Sequence, residues 1–131
     1  MKLVILKPDF TKRLHKALEN TMIDWQRVNE LENEVGTEDF SEIARLFLEE
    51  VDEVIARLKQ SPPSNTLEEE FHFLKGSALN LGFQDFSILC ATAEKQAANG
   101  DHGSIDINGA IECYELSCVT FHQTRSVGNA A

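Results

Sequence analysis

Apolar residues recur along most of the chain at intervals of three and four, which is the spacing of an amphipathic α-helix. No segment shows the sustained alternation of apolar and polar residues that marks a surface strand hairpin. The pattern therefore predicts an all-α protein. Helices are expected in the segments 9–20, 24–36, 37–59, 66–82, 85–100 and 106–124.

Helix signals mark the boundaries in the first half of the chain. Asp24 suits the N-cap of a helix that Gly36 ends. Thr37 is then expected to cap a long helix that runs to about Lys59. The Ser-Pro-Pro-Ser sequence at 61–64 ends this helix, because proline cannot continue it.

Similar signals divide the second half. Thr66 and Glu69 fit a capping box at the start of the next helix, and Gly82 ends that helix. Asp85 is expected to cap a helix that closes near Gly100. The last helix should run from about Asp106 to Thr124.

Short connections between these helices predict an antiparallel, up-down four-helix bundle with an additional N-terminal helical segment. We expect the bundle domain at residues 22–125, a partly helical N-terminal extension at 1–21 and a disordered tail at 126–131. The predicted interior is lined by Phe40, Ile43, Phe47, Val51, Val54 and Leu58; by Leu67, Phe71, Leu74, Ala78 and Leu81; by Phe86, Leu89, Cys90, Ala93 and Ala97; and by Ile107, Ile111, Tyr114, Cys118 and Phe121.

Charge and hydropathy exclude some classes of function. The formal net charge is -10; residues 1–20 carry five bases and two acids, and the remainder carries seven bases against twenty acids. An acidic body repels phosphate backbones, so nucleic-acid binding is not expected. No stretch approaches the roughly 20 apolar residues that span a bilayer, and no secretory signal is recognisable. We expect a cytoplasmic monomer with no membrane contact, whose three cysteines are reduced thiols.

One histidine stands on the polar side of a strongly patterned helix. His72 lies about 140° from the centre of the apolar stripe of the helix at 66–82, so its ring should point into solvent. An exposed imidazole near its ordinary pKa is largely neutral and nucleophilic. Lys75, one turn on, could stabilise phosphoryl oxygens, and Gly76 would leave space for the incoming group. Residue chemistry alone leaves two alternatives open: an ordinary surface histidine, and a Gly76 that serves helix packing.

The sequence His72-Phe73-Leu74-Lys75-Gly76-Ser77-Ala78-Leu79-Asn80-Leu81-Gly82 closely resembles the signature of histidine-containing phosphotransfer (HPt) domains. That signature is a histidine, any residue, Leu-Lys-Gly, two small residues, and a glycine ten positions after the histidine. The resemblance covers about residues 22–124. It includes Ile23-Asp24-Trp25, the long helix at 40–58, Cys90 and the turn at 98–101.

The resemblance implies that His72 is phosphorylated on Nε2, with Lys75 stabilising the phosphate and Gly76 giving it space. Gln84, at a position that is often amidic in the family, would be a further phosphate-stabilising residue. The implied partners are response-regulator receiver domains and a hybrid sensor histidine kinase, which would dock around Glu68, Phe73 and Leu79. The receiver domain supplies Mg²⁺ and most of the transition-state stabilisation, so this chain needs no cofactor and is a phosphoryl carrier rather than an enzyme.

The residues also bear on four other classes of function: a kinase, a hydrolase, a metal-binding protein and an adaptor. No P-loop or kinase signature accompanies the glycines, which disfavours a self-phosphorylating kinase, and no hydrolase triad is recognisable. Cys118 and His122 are four residues apart and could share a zinc ion, but Cys113 is poorly spaced to join them. A helical adaptor without chemistry would have no need for His72, Lys75 and Gly76 together.

Overall fold

The computed structural model describes residues 22–60 and 64–130, and these ranges contain helices and turns but no strand. The prediction of an all-α protein is confirmed. The helix expected at 9–20 lies outside the described residues. The helices are α1 (Trp25–Val35), α2 (Thr37–Lys59), α3 (Leu67–Leu81), α4 (Gln84–Ala98) and α5 (Ile107–Ala130), with short 3₁₀ turns at Ser64–Thr66 and His102–Ser104.

Helices α2 to α5 form the antiparallel bundle. The end of α2 meets the start of α3 where Arg57 Nε donates to Glu70 Oε2 at 2.8 Å. The end of α2 also meets α5, where Lys59 Nζ lies 3.2 Å from Glu115 Oε2. None of the described helices is long and apolar enough to cross a membrane.

Helix α1 lies against the end of the bundle at which α3 turns into α4. The Asp24 amide donates to the Gly82 carbonyl at 2.7 Å, and Arg27 Nε donates to the Asn80 carbonyl at 3.0 Å. Trp25 stacks on Phe121 of α5 with 5.9 Å between the ring centroids. Helix α1 therefore fixes the end of the α3–α4 hairpin, on which the candidate site is built.

Gly82 is required at this turn for two reasons. Its φ of 88° lies in the left-handed region, where residues with a Cβ are strained. A Cβ atom at this position would also lie 2.8 Å from the Asp24 carbonyl oxygen and 3.1 Å from a methyl group of Val28. The tight turn brings α3 and α4 together as close neighbours.

The core follows the predicted stripes with local differences. In α2 the buried side is centred on Ala44, Leu48 and Ile55, whereas the predicted Ile43 and Phe47 are only half-buried. In α4 the prediction that Leu89 lines the interior is wrong, because this residue is 41% exposed. Spacing alone allows a broad apolar face, and the neighbouring helices decide which edge of that face is covered.

Two of the predicted helix caps are not used. Helix α4 begins at Gln84 with Phe83 as its N-cap, so Asp85 lies in the first turn instead of at the cap. Thr66 makes no side-chain capping hydrogen bond, and a 3₁₀ turn leads into α3. By contrast, the Asp24 carboxylate accepts from the Arg27 amide at 3.2 Å and caps α1 as predicted.

Two other predicted boundaries differ from the structure. Gly36, rather than Thr37, is the N-cap of α2, and Thr37 is its first residue. Helix α5 continues to Ala130, beyond the predicted end at Thr124, so residues 126–130 extend the helix where a disordered tail was expected. No proline interrupts this segment, so backbone hydrogen bonding can propagate through it.

Candidate functional site

The outer surface of the α3–α4 hairpin carries the residues that the sequence singled out. His72 follows the fully buried Phe71 on α3, and its own side chain is 70% exposed. The prediction that its ring points into solvent is confirmed. Because the neighbouring residues are anchored in the core, the backbone beneath an accessible imidazole is held by packing.

Glu94 of α4 joins His72 to Lys75. One carboxylate oxygen of Glu94 lies 2.8 Å from His72 Nδ1, and the other lies 2.7 Å from Lys75 Nζ. Sequence reasoning missed this residue. A signal for it existed: His72 lies eleven residues before Phe83 and Glu94 eleven residues after it, and residues equidistant from the turn of an antiparallel hairpin face each other.

The contact with Glu94 defines which ring nitrogen is free. The pKa of Glu94 is held below its ordinary value, chiefly by the hydrogen bond from Lys75 and also by the one from His72, while partial burial acts in the opposite direction. An ionised carboxylate can only accept hydrogen bonds, so the assigned tautomer of the neutral ring carries its proton on Nδ1. The lone pair is then on Nε2, which is the nucleophilic atom.

Gly76 leaves open space beside the histidine. Among the residues that the structure describes, a Cβ atom built on Gly76 would meet nothing within 4 Å outside its own helix backbone. The alternative that this glycine allows another helix to pack closely is therefore wrong. A glycine inside a helix is less favourable than alanine by about 1 kcal/mol, so its presence here calls for a reason other than room for a neighbouring helix.

The residues predicted to dock a partner are all exposed. Leu79 is 57% exposed and lies about 10 Å from His72 along α3, towards the turn. Glu68 and Phe73 are also exposed, on the turn before His72 and immediately after it. Ile88 of α4, which sequence reasoning did not select, is 56% exposed and is likewise displaced from Glu94 towards the turn.

Gln84 is not brought next to His72. It is the first residue of α4 and lies ten residues before Glu94, which corresponds to about 15 Å along the helix. Its carbonyl oxygen accepts from Ser87 Oγ at 2.6 Å, and its side chain is exposed. A role for Gln84 in holding phosphate stays a prediction, and this separation argues against direct contact.

A second polar cluster lines a cavity of about 470 Å³ between α2 and α5, and it contains Cys118 and His122. Burial raises the pKa of the Cys118 thiol to about 11, which disfavours the thiolate that zinc binds. In the part of the chain that the structure describes, no three histidine, cysteine or acidic side chains are arranged to hold a metal ion. The zinc alternative therefore finds no third ligand here.

Comparison with known proteins gives one match. The family model of the Hpt domain matches residues 42–116, which is more than half of the 131-residue chain. The matched range includes all of α3 and α4, and with them His72, Lys75, Gly76 and Glu94. No curated protein and no solved structure matches.

Proposed function

Since the chain belongs to the Hpt domain family, we propose that it carries a phosphoryl group on His72 between the aspartates of receiver domains. Membership implies histidine phosphotransfer in phosphorelays, and Hpt domains are phosphocarrier modules rather than kinases. The residue that carries the group, the direct donor and the direct acceptor are the proposed part.

The observation that carries this proposal is the state of the His72 ring. Its side chain is 70% exposed, and its Nδ1 is hydrogen-bonded to a carboxylate at 2.8 Å. This bond favours a lone pair on Nε2, the ring atom that a partner can approach from solvent. An ordinary surface histidine has no such support for one tautomer.

In the forward step the Nε2 lone pair attacks the phosphorus atom of a phospho-aspartyl receiver. The new N–P bond forms as the acyl-phosphate O–P bond breaks, and the electron pair of the broken bond stays on the aspartate oxygen. The reverse step hands the group to a second receiver. Mg²⁺ bound to the receiver would neutralise most of the charge that develops, and this chain would then need no cofactor of its own.

Lys75 and Gly76 serve the same step from this chain. The ammonium group of Lys75 is fixed beside the ring by its 2.7 Å contact with Glu94, close to where the phosphoryl oxygens would lie. The open space above Gly76 admits the phosphoryl group and the edge of the receiver's active site. Lys75 would thus stabilise the charge of the phosphoryl group, and Gly76 would allow that group to reach His72.

Docking would use the apolar surface on the turn side of His72. Leu79 and Ile88 are both more than half exposed, and Phe73 and Glu68 extend the surface around the histidine. Hpt domains interact with receiver domains and kinases of two-component systems, and we propose a hybrid sensor kinase as the source of phosphate. We place this exchange in the cytoplasm, with the chain acting as a monomer.

The test is phosphotransfer from a radiolabelled, phosphorylated receiver domain. Wild-type protein is expected to acquire label that is lost in acid and retained in base, as for a phosphoramidate. His72→Gln should acquire none and should keep the helical circular dichroism of the wild type. His122→Gln is the matched control and should label normally. Label that persists in His72→Gln, or that survives acid, would contradict the proposal.

A further inference from the structure

Glu94 contacts the ring nitrogen opposite the one that would carry the phosphoryl group. We propose that the Glu94 carboxylate keeps the ring of phosphorylated His72 protonated at Nδ1, and so determines how readily the phosphoryl group leaves. This inference rests on the proposed function of His72. It concerns the release of the phosphoryl group from His72, whereas the proposed function concerns its capture by Nε2.

The proton on Nδ1 decides the quality of the leaving group. A ring that carries the phosphoryl group on Nε2 and a proton on Nδ1 is cationic. When the N–P bond breaks, its electron pair stays on Nε2 and the ring departs as neutral imidazole, still protonated on Nδ1. The phosphorus atom forms its new bond to an aspartate oxygen of the receiver or to water. Without the Nδ1 proton the departing group would be an imidazolate anion, which is a far poorer leaving group.

The geometry places a fixed negative charge where that proton is held. Glu94 Oε2 lies 2.8 Å from Nδ1, and the Glu94 side chain is only 20% exposed. An opposite charge at this distance favours the charged form of the ring. Lys75 binds the other oxygen at 2.7 Å, and this hydrogen bond is the main reason that the pKa of Glu94 lies below its ordinary value.

Charged side chains of α3 also act on the ring. Lys75 of α3 disfavours a cationic ring, but its contact is with Glu94 Oε1, whereas the ring contacts Oε2. Glu68, one turn earlier on α3, is exposed and adds a negative charge that solvent screens. Both residues are unchanged in a variant of Glu94, so a difference between that variant and the wild type reports the carboxylate alone.

The test follows loss of phosphate from His72 without a partner. Wild type, Glu94→Gln and Glu94→Asp are phosphorylated with phosphoramidate, and the ³¹P resonance that is missing in His72→Gln identifies the group on His72. The rate at which this phosphoryl group is hydrolysed is then measured from pH 5 to pH 9. Glutamine keeps a hydrogen-bond acceptor and removes the charge. The midpoint of the pH profile is expected to fall by about one unit in Glu94→Gln, and hydrolysis above the midpoint to slow about tenfold.

Aspartate keeps the charge on a shorter side chain, so Glu94→Asp should recover part of the shift. An unchanged midpoint in Glu94→Gln would overturn the inference, as would an aspartate profile identical to that of glutamine. The proposed function fails in a different way: phosphorylated His72 would pass no phosphate to any receiver domain, whatever its hydrolysis profile. Equal melting temperatures of the three proteins are expected, because the pair lies at the surface.

Discussion

The groove between α2 and α5 is richer in reactive side chains than the surface around His72. It contains a histidine, a lysine, two carboxylates, a phenol and a thiol around a cavity of about 470 Å³, whereas the His72 surface has one histidine, one lysine and one carboxylate at its centre. Composition alone would select the groove as the functional site. The groove residues are Leu48, Asp52, Ile55, Ala56, Lys59, Tyr114, Glu115, Cys118 and His122.

The two regions differ in how their polar side chains are bonded to one another. In the groove two contacts join α2 to α5: Tyr114 donates to Asp52 at 2.7 Å, and Lys59 pairs with Glu115 at 3.2 Å. Burial and the bond to Asp52 raise the pKa of Tyr114, so its hydroxyl stays a hydrogen-bond donor. On the α3–α4 surface one carboxylate contacts both His72 and Lys75, and the His72 side chain is 70% exposed. The two regions therefore differ in arrangement: the contacts of the groove join α2 to α5, whereas those of the α3–α4 surface converge on one carboxylate beside an exposed imidazole.

The largest effect that this comparison predicts is for Gly76→Gln. The new side chain should occupy the space beside His72 and lower the rate of phosphotransfer at least tenfold, which corresponds to about 1.4 kcal/mol. Stability should move the other way, rising by about 0.5–1 kcal/mol, because glutamine favours a helix interior more than glycine does. Stopped-flow transfer and urea unfolding measure the two quantities.

Gly103→Gln is the control, since a Cβ atom there also meets nothing within 4 Å in the described part of the chain. Gly103 lies in the 3₁₀ turn between α4 and α5. It should leave the transfer rate unchanged. Transfer at the wild-type rate in Gly76→Gln would remove the steric role of the glycine. A loss of stability in Gly76→Gln would show that the open space has a structural use.

Much of this site could be predicted because it depends on local order in the sequence. The period of the apolar stripe fixes which side of α3 is buried, and His72 lies opposite that stripe whatever the other helices do. The cap at Asp24 and the turn at Gly82 likewise depend on residues close in sequence. For these features the structure agrees with the prediction.

The features that the sequence did not predict depend instead on how neighbouring helices pack. Glu94 is remote in sequence from His72, and its role appears only when the turn at Gly82 sets the register between α3 and α4. Leu89 fits the apolar spacing of α4, but the position of the neighbouring helices leaves it exposed. Ile88 was overlooked for the same reason, because an apolar residue counts as surface only when its neighbours in space are known.

A smaller effect is predicted for the apolar part of the α3–α4 surface. Leu79→Ala and Ile88→Ala should each weaken receiver binding about fivefold, equivalent to about 1 kcal/mol of lost contact area. Both side chains are more than half exposed, so stability should change by less than about 0.5 kcal/mol. Titration calorimetry with an unphosphorylated receiver measures the dissociation constant.

Leu116→Ala provides the matched control, because Leu116 is a similarly exposed leucine on α5. Its removal should leave receiver binding unchanged. If Leu116→Ala weakened binding as much as Leu79→Ala, the docking surface would extend to α5. If neither Leu79→Ala nor Ile88→Ala weakened it, the apolar surface near His72 would have no part in docking.

Tyr114→Phe, in the groove, is expected to have no effect on phosphotransfer. The variant removes the donor to Asp52 and should lower the free energy of unfolding by about 1 kcal/mol, since the exposed Asp52 carboxylate can regain water. Phosphotransfer to His72 should proceed at the wild-type rate, because the lost bond joins α2 to α5 and leaves the α3–α4 hairpin intact. Slower transfer at unchanged stability would instead place the groove in the functional site, and accessibility would then be the wrong criterion for telling the two regions apart.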